Sequence, residues 1–290
     1  MANQIKIALF SPASLPLKED FEKAIEVLRN KKLGFKNFCD FKETPPGIKA
    51  FLLYELFTNK EFTHIWAIRG GFGSLKLLPF LEELFSNQKI SPYELPVLIG
   101  YSDISVLHAY LFFKFGKCGF HAPVLVELPH LSSSMLQHLF KTIFEGEKIY
   151  LKGKAFRSGE AEGILICGNL VSLASLCGTP YFNPEVLKSG VILLLEEVNE
   201  KPYRMERALL QLIFSLNKKS IKALLFGNLG ISEVEKLIYS LIPFLPEEIP
   251  IGYGFKIGHS SENYPLIFGR KAVVKTRGET LELFQENLLI

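Results

Sequence analysis

Short apolar runs alternate with segments of helical periodicity through the first 115 of the 290 residues. The runs have the length of strands and lie at 5–10, 34–39, 63–68 and 96–99. The periodic segments lie between or just after them, at 18–30, 48–58, 75–85 and 105–114. Such alternation is typical of parallel strands joined by crossover helices that cover both faces of a sheet. The sequence therefore predicts an α/β fold that begins with a mainly parallel sheet flanked by helices.

The alternation of strand and helix patterns ends in the middle of the chain. A polar stretch precedes residues 145–160, which we interpret as a linker, and shorter strand and helix patterns of mixed order follow. We therefore predict two domains: an N-terminal α/β domain over 1–150 and a smaller, mixed α/β C-terminal domain over 151–290.

Composition excludes several classes of function. The chain has 33 basic and 30 acidic residues spread along its length, without the basic stripe that a nucleic-acid partner requires. No apolar run approaches the roughly 18 residues needed to cross a bilayer, and no convincing cleavage site follows the N-terminal apolar run. These features predict a cytoplasmic protein with no membrane partner.

The four cysteines occur without a C-x-x-C pair and in apolar surroundings. That pattern favours buried reduced thiols over a zinc site or a disulfide framework. The sequence predicts neither a metal nor a cofactor.

Ser102 lies where a short apolar run ends and a helical pattern begins, in P-V-L-I-G-Y-S-D-I-S. A serine on a tight strand-to-helix turn presents its hydroxyl outward, next to N–H groups that can stabilise an oxyanion. This arrangement suits a nucleophile. However, Ile104 replaces the second glycine of G-x-S-x-G, and Ser102 or Asp103 could instead simply cap the helix.

A glycine-rich loop, R-G-G-F-G-S, occupies residues 69–74. Glycines let backbone approach a ligand closely, so this loop could supply an N–H group to an oxyanion, cradle a phosphate, or be a plain turn. It lacks the spacing of a dinucleotide fingerprint and the lysine of a P-loop. Because sites in such sheets form outside the carboxyl ends of strands, we expect the loops at 11–14, 69–74 and 100–103 to cluster.

A serine nucleophile needs a base and an orienting carboxylate. His259 lies in a polar loop after a strand pattern, whereas His64 and His108 have the apolar neighbours of core residues and His121 could line the cleft. Glu196 ends the apolar run V-I-L-L-L, where a carboxylate is costly unless it is paired. Pairing with Arg204 or Arg207 on the next helix is an equally good explanation of that glutamate.

Five segments together resemble the LD-carboxypeptidases, also called muramoyltetrapeptide carboxypeptidases. They are I-R-G-G-F-G-S at 68–74, I-G-Y-S-D-I-S at 99–105, A-E-G-I-L-I-C-G-N-L with the later G-T-P-Y at 161–181, L-L-L-E-E-V-N-E-K-P-Y-R-M-E-R at 193–207, and G-H-S-S-E-N-Y-P-L-I-F-G at 258–269. Their order and spacing match over nearly the whole chain. The departures from the family pattern are Phe72 for tyrosine, Cys167 for glycine and Ala122 for glycine.

The resemblance implies a Ser-His-Glu serine hydrolase in which Ser102 is the nucleophile, His259 the base and Glu196 the orienting carboxylate. It implies an oxyanion hole made by the N–H of Asp103 with that of Gly70 or Gly71. The implied substrate is a murein tetrapeptide, cleaved at the L,D amide bond before its terminal D-alanine in cell-wall recycling. A homodimer is expected from the family alone.

Two other functions stay open. The microcin-C-immunity branch of the same superfamily cleaves a peptidyl-nucleotide, and an aromatic clamp for adenine, which the sequence does not identify, would favour it. A non-catalytic muropeptide or nucleotide sensor would need the glycine-rich loop but no triad.

Overall fold

The computed structural model describes residues 5–86 and 88–288. Its strands are β1 (Lys6–Phe10), β2 (Gly34–Asn37), β3 (His64–Ala67), β4 (Val97–Gly100), β5 (Gly119–His121), β6 (Ile149–Arg157), β7 (Glu160–Asn169), β8 (Val191–Glu196), β9 (Ile221–Phe226), β10 (Ile251–Tyr253), β11 (Leu266–Phe268), β12 (Lys271–Arg277) and β13 (Thr280–Gln285). Its α-helices are α1 (Lys18–Asn30), α2 (Pro46–Thr58), α3 (Leu78–Phe85), α4 (Ser105–Phe115), α5 (Ser133–Glu145), α6 (Leu170–Ala174), α7 (Pro202–Ser215) and α8 (Val234–Leu241).

The first half of the chain contributes five strands to a six-stranded sheet, whose order is β11-β5-β4-β3-β1-β2. Strands β1 to β5 run parallel, as the alternating pattern predicts, and β11 joins the edge antiparallel to β5. The central strands β3 and β4 are almost entirely buried because helices cover both faces of the sheet. Because β1, β3 and β4 are parallel, their carboxyl ends lie at the same edge of the sheet.

The second half forms a closed barrel in the order β10-β6-β13-β12-β7-β8-β9. Strands β7 to β10 pair in parallel, whereas β6, β13 and β12 are antiparallel to their neighbours. Residues 145–160 are not a linker, since β6 begins at Ile149 and alternates buried and exposed side chains. Alternating burial of this kind is typical of a strand in a barrel wall, in which every second side chain points into the core.

The α/β fold class with two unlike halves is confirmed, while the division at residue 150 stays a prediction. One strand exchanges between the halves: β11 comes from the second half and completes the first sheet. The connection from β10 to β11 therefore runs from the barrel to the edge of the sheet, and His259 lies in it.

Candidate active site

Three loops meet at the carboxyl edge of the first sheet. The N–H of Ser14 donates to the carbonyl of Gly70 over 3.2 Å, and the Ser14 hydroxyl accepts from the N–H of Phe72 over 3.1 Å. The Asp103 carboxylate accepts from the N–H of Ser74 over 2.7 Å. These contacts confirm the predicted clustering of the loops after β1, β3 and β4.

Ser102 occupies the turn between β4 and α4 in a rare backbone conformation. Its φ is 63°, in the left-handed region that a non-glycine residue adopts at a cost of roughly 1 kcal/mol or more. A short 3₁₀ turn, Ser102–Ile104, leads into α4. The N-cap positions of this turn and of α4 are Tyr101 and Ile104, and neither makes a side-chain cap hydrogen bond, so Ser102 does not hold a capping position.

Gly70 lies directly against Ser102. A β-carbon added at Gly70 would lie 2.9 Å from Cβ of Ser102, closer than real β-carbons approach, and 3.1 Å from Oγ of Ser102. Gly71 faces elsewhere, since a β-carbon there would overlap Oγ of Ser14. The absence of a side chain at Gly70 therefore leaves backbone next to the Ser102 hydroxyl.

Glu196 and His259 form a hydrogen-bonded pair. Nδ1 of His259 lies 2.8 Å from Oε2 of Glu196, although the residues are 63 positions apart. Glu196 is the last residue of β8 and is fully buried, and a quarter of the His259 side chain is exposed. Arg204 pairs with Glu200 instead, at 3.7 Å, so the alternative pairing of Glu196 with Arg204 is not what the structure shows.

The environment of the pair shifts both protonation equilibria. Burial raises the pKa of Glu196, and its hydrogen bond with His259 opposes that shift. For His259, burial disfavours the charged ring, but the hydrogen bond and charge of Glu196, with Glu127 and Glu197, hold the pKa above its ordinary value of 6.5. Glu196 is thus placed to fix the imidazole and to stabilise the imidazolium.

Tyr101, the residue before Ser102, is in contact with this pair. The Tyr101 ring lies 4.8 Å from the His259 ring, centroid to centroid. In the part of the chain that the structure describes, no hydrogen bond joins the Ser102 hydroxyl to His259; such bonds are often loose without substrate.

The remaining candidate histidines lie in the core or away from this edge. His108 bonds the carbonyl of Gly100 through Nε2 at 2.9 Å, and burial lowers its pKa to about 4. His64 is largely buried beside the hydroxyl of Thr63, at 2.8 Å. His121 is fully buried rather than lining a cleft, and burial lowers its pKa to about 3.

Sequence reasoning missed Glu127, whose carboxylate accepts a hydrogen bond from the Tyr101 hydroxyl. Glu127 lies in the 3₁₀ turn Leu125–His130, and its charge contributes to the raised pKa of His259. An acid inside the apolar stretch V-L-V-E-L was the available signal, of the same kind that singled out Glu196.

Glu197 has a structural role. Its carboxylate accepts from the N–H groups of Val171 and Val198 and from the side-chain amide of Asn169, at 2.9–3.0 Å. It thus anchors the start of α6 to the end of β8.

Within residues 5–86 and 88–288, no cluster of three or more histidine, cysteine or acidic side chains could hold a metal ion. Over the same ranges, no helix has both the length and the apolar character needed to cross a bilayer.

Comparison with protein families matches both halves of the chain. The LD-carboxypeptidase N-terminal domain matches residues 7–122, and the LD-carboxypeptidase C-terminal domain matches residues 162–274. The chain therefore belongs to the LD-carboxypeptidase family, a family of serine peptidases.

Individual relatives agree with that assignment. The chain is 30% identical to the murein tetrapeptide carboxypeptidase of Pseudomonas aeruginosa, over 93% of each chain. It superposes on the crystal structure of muramoyltetrapeptide carboxypeptidase from Oxalobacter formigenes with a TM-score of 0.82 and 27% identity, covering 96% of this chain and 98% of the other. It is also 25% identical to the microcin C7 self-immunity protein of Escherichia coli, over 96% of this chain and 92% of that one.

Proposed function

We propose that this protein is a serine carboxypeptidase that releases the terminal D-alanine of a murein tetrapeptide and leaves the tripeptide. The observation that carries the proposal is the buried Glu196–His259 hydrogen bond beside the strained turn of Ser102. The similarity to murein tetrapeptide carboxypeptidase supports the choice of substrate.

The first half-reaction forms an ester. His259 takes the proton of the Ser102 hydroxyl as the oxygen attacks the carbonyl carbon of the L,D amide. The negative charge that develops on the carbonyl oxygen needs N–H donors, for which the backbone of Asp103 and of Gly70 is best placed, with Gly71 the less favoured alternative. The C–N bond then breaks, and D-alanine leaves with the proton held by His259.

The second half-reaction restores the enzyme. A water molecule gives a proton to His259 and attacks the ester, and the same proton returns to the oxygen of Ser102 as the tripeptide leaves. Throughout, Glu196 holds Nδ1 of His259, so that the other ring nitrogen is available for proton transfer.

The decisive experiment measures free D-alanine released from a tetrapeptide that carries meso-diaminopimelate or L-lysine at its third position. We expect release by the wild type in the presence of EDTA, and a loss of several orders of magnitude in Ser102→Ala. Ser134→Ala, on the exposed start of α5, is the matched control and should retain full activity.

Substrate controls separate this function from its alternatives. A tetrapeptide ending in L-alanine should resist cleavage. Turnover of a peptidyl-nucleotide without release of D-alanine would instead favour the function named for the Escherichia coli relative. If neither substrate is cleaved but muropeptide binds, the protein is a sensor and the proposal is wrong. The homodimer stays a prediction that sedimentation can test.

A further inference from the structure

Tyr101 links the turn of the nucleophile to a second carboxylate near His259. Its hydroxyl donates a hydrogen bond to Glu127, and its ring packs on that of His259 with a centroid separation of 4.8 Å and an interplanar angle of 49°. Tyr101 is buried, and Glu127 is half-buried. The imidazole is therefore in contact with one residue of this pair and in the electrostatic field of the other.

Titratable groups from several elements surround His259. They are Glu196 and Glu197 at the end of β8, Glu127 in the 3₁₀ turn after β5, Tyr101 after β4 and the neutral His121 in β5. Glu196 accepts directly from Nδ1, and Glu197 is occupied by its three donors. Glu127 is thus the carboxylate near the ring that neither bonds it nor anchors another helix.

We propose that Tyr101 and Glu127 are positioning residues for His259: the tyrosine ring fixes the plane of the imidazole, and the carboxylate behind it stabilises the imidazolium. This inference rests on the proposed function, because the imidazolium forms when His259 takes the proton of Ser102. The pair acts through His259, and nothing in the geometry requires either residue to touch substrate.

The charge of Glu127 depends on its partners. Burial raises its pKa, whereas the hydrogen bond from Tyr101 and the charge of His259 oppose that shift. Burial and the neighbouring carboxylate raise the pKa of Tyr101 well above its usual range, so the tyrosine stays protonated and remains the donor. Removing the hydroxyl should therefore favour neutral Glu127 and weaken its effect on His259.

The test compares Glu127→Gln with a matched pair elsewhere in the fold. Glu82 also accepts a hydrogen bond from a buried tyrosine, Tyr110, over 3.1 Å, and it pairs with Lys114 at 2.6 Å. Glu82→Gln therefore removes a carboxylate charge from the same kind of tyrosine contact without touching His259. For each variant, NMR follows the titration of the His259 ring, assigned with His259→Asn, and kinetics gives kcat/KM against pH.

We expect Glu127→Gln to lower the pKa of His259 and to move the acidic limb of the pH profile to lower pH, because a negative charge near the imidazolium is lost. Glu82→Gln should leave both unchanged. Tyr101→Phe should move both in the same direction as Glu127→Gln and reduce kcat about threefold to tenfold, the effect of one lost hydrogen bond. The double variant should shift the pKa no further than Glu127→Gln alone, since both changes remove one charge.

A His259 titration that is the same in Glu127→Gln and Glu82→Gln would overturn the inference, whatever happens to kcat. If Glu127→Gln does not fold, Tyr101→Phe, which removes one oxygen atom, decides by the same comparison. The titration does not depend on turnover. A wild type that releases no D-alanine would thus contradict the proposed function, while the ring's pKa would still show whether the pair acts on His259.

Discussion

Gly258 packs against Glu196 so closely that a β-carbon at position 258 would lie 2.7 Å from Oε2 and 2.8 Å from Cβ of the glutamate. Gly258 has a φ of 102°, which a residue with a side chain rarely adopts. This close approach brings the next residue, His259, within hydrogen-bond distance of a fully buried carboxylate. The pairing of acid and imidazole thus depends on the absence of a side chain at position 258.

Gly258→Ala should separate the pair. The added methyl group must displace Glu196 or the backbone before His259, and misplacement of a catalytic group by about 1 Å can cost roughly 100-fold in rate. Gly254→Ala is the control, because Gly254 also has a positive φ, of 77°, but has no atom within 4 Å of the added carbon. Both variants should lose about 1 kcal/mol of stability from backbone strain, Gly258→Ala should lose more because its methyl group overlaps Glu196, and only Gly258→Ala should lose kcat. Equal kcat in the two folded variants would contradict this explanation.

Glu196→Gln should leave the fold intact and impair turnover. The amide keeps the shape of the side chain but removes the charge that orients and stabilises His259, so we expect kcat to fall by about 10²- to 10⁴-fold. At a pH where His259 is neutral, thermal unfolding should show no loss of stability, because burial of the carboxylate itself is unfavourable, as the raised pKa of Glu196 indicates. Glu185→Gln, at an exposed carboxylate paired with Lys188, is the kinetic control. Retention of wild-type kcat in Glu196→Gln would remove that residue from the mechanism.

The pH dependence of the wild type should follow His259. Only the neutral ring can accept the proton of Ser102, so kcat/KM should fall as pH falls through the pKa of His259, which lies above 6.5. In Glu196→Gln that fall should move to lower pH, because burial lowers the pKa of His259 and the charge of Glu196 no longer opposes it.

The raised pKa of His259 also affects folding. It contributes stability that is complete below pH 6.5 and is lost as the pH rises through the pKa of His259 in the folded state. Rate profiles at constant ionic strength and melting curves measure the two effects, and an acidic limb below 6.5 in the wild type would contradict the assignment.

Ser102→Gly should be more stable than Ser102→Ala, although both should be inactive. Alanine retains the strain of a φ of 63°, whereas glycine relieves it, for a difference of roughly 1 kcal/mol. At Ser134, within α5, the order should be reversed because glycine disfavours a helix. Chemical denaturation of the four variants measures the difference. The same order at both positions would show that the backbone at Ser102 is not strained.

Local pattern was enough to predict much of the secondary structure. The helix at 18–30 has the predicted bounds, and β1 and β4 lie within one residue of the predicted strands. Hydrophobic periodicity reports which face of a segment is buried, and that depends on neighbours a few positions away. Glu196 could be singled out for the same reason, because the apolar run that it ends consists of its immediate neighbours in the sequence.

The sequence by itself therefore determined the α/β class, the parallel direction of the first strands and the strand-to-helix turn at Ser102, since each follows from local spacing. Only the tertiary structure decided the closure of the barrel through β6, the transfer of β11 to the first sheet and the contacts of Glu196 and Tyr101 with His259. These features join residues that are distant in the chain, and the free energy that selects them comes from packing and from the burial of charge. No local pattern contains that information.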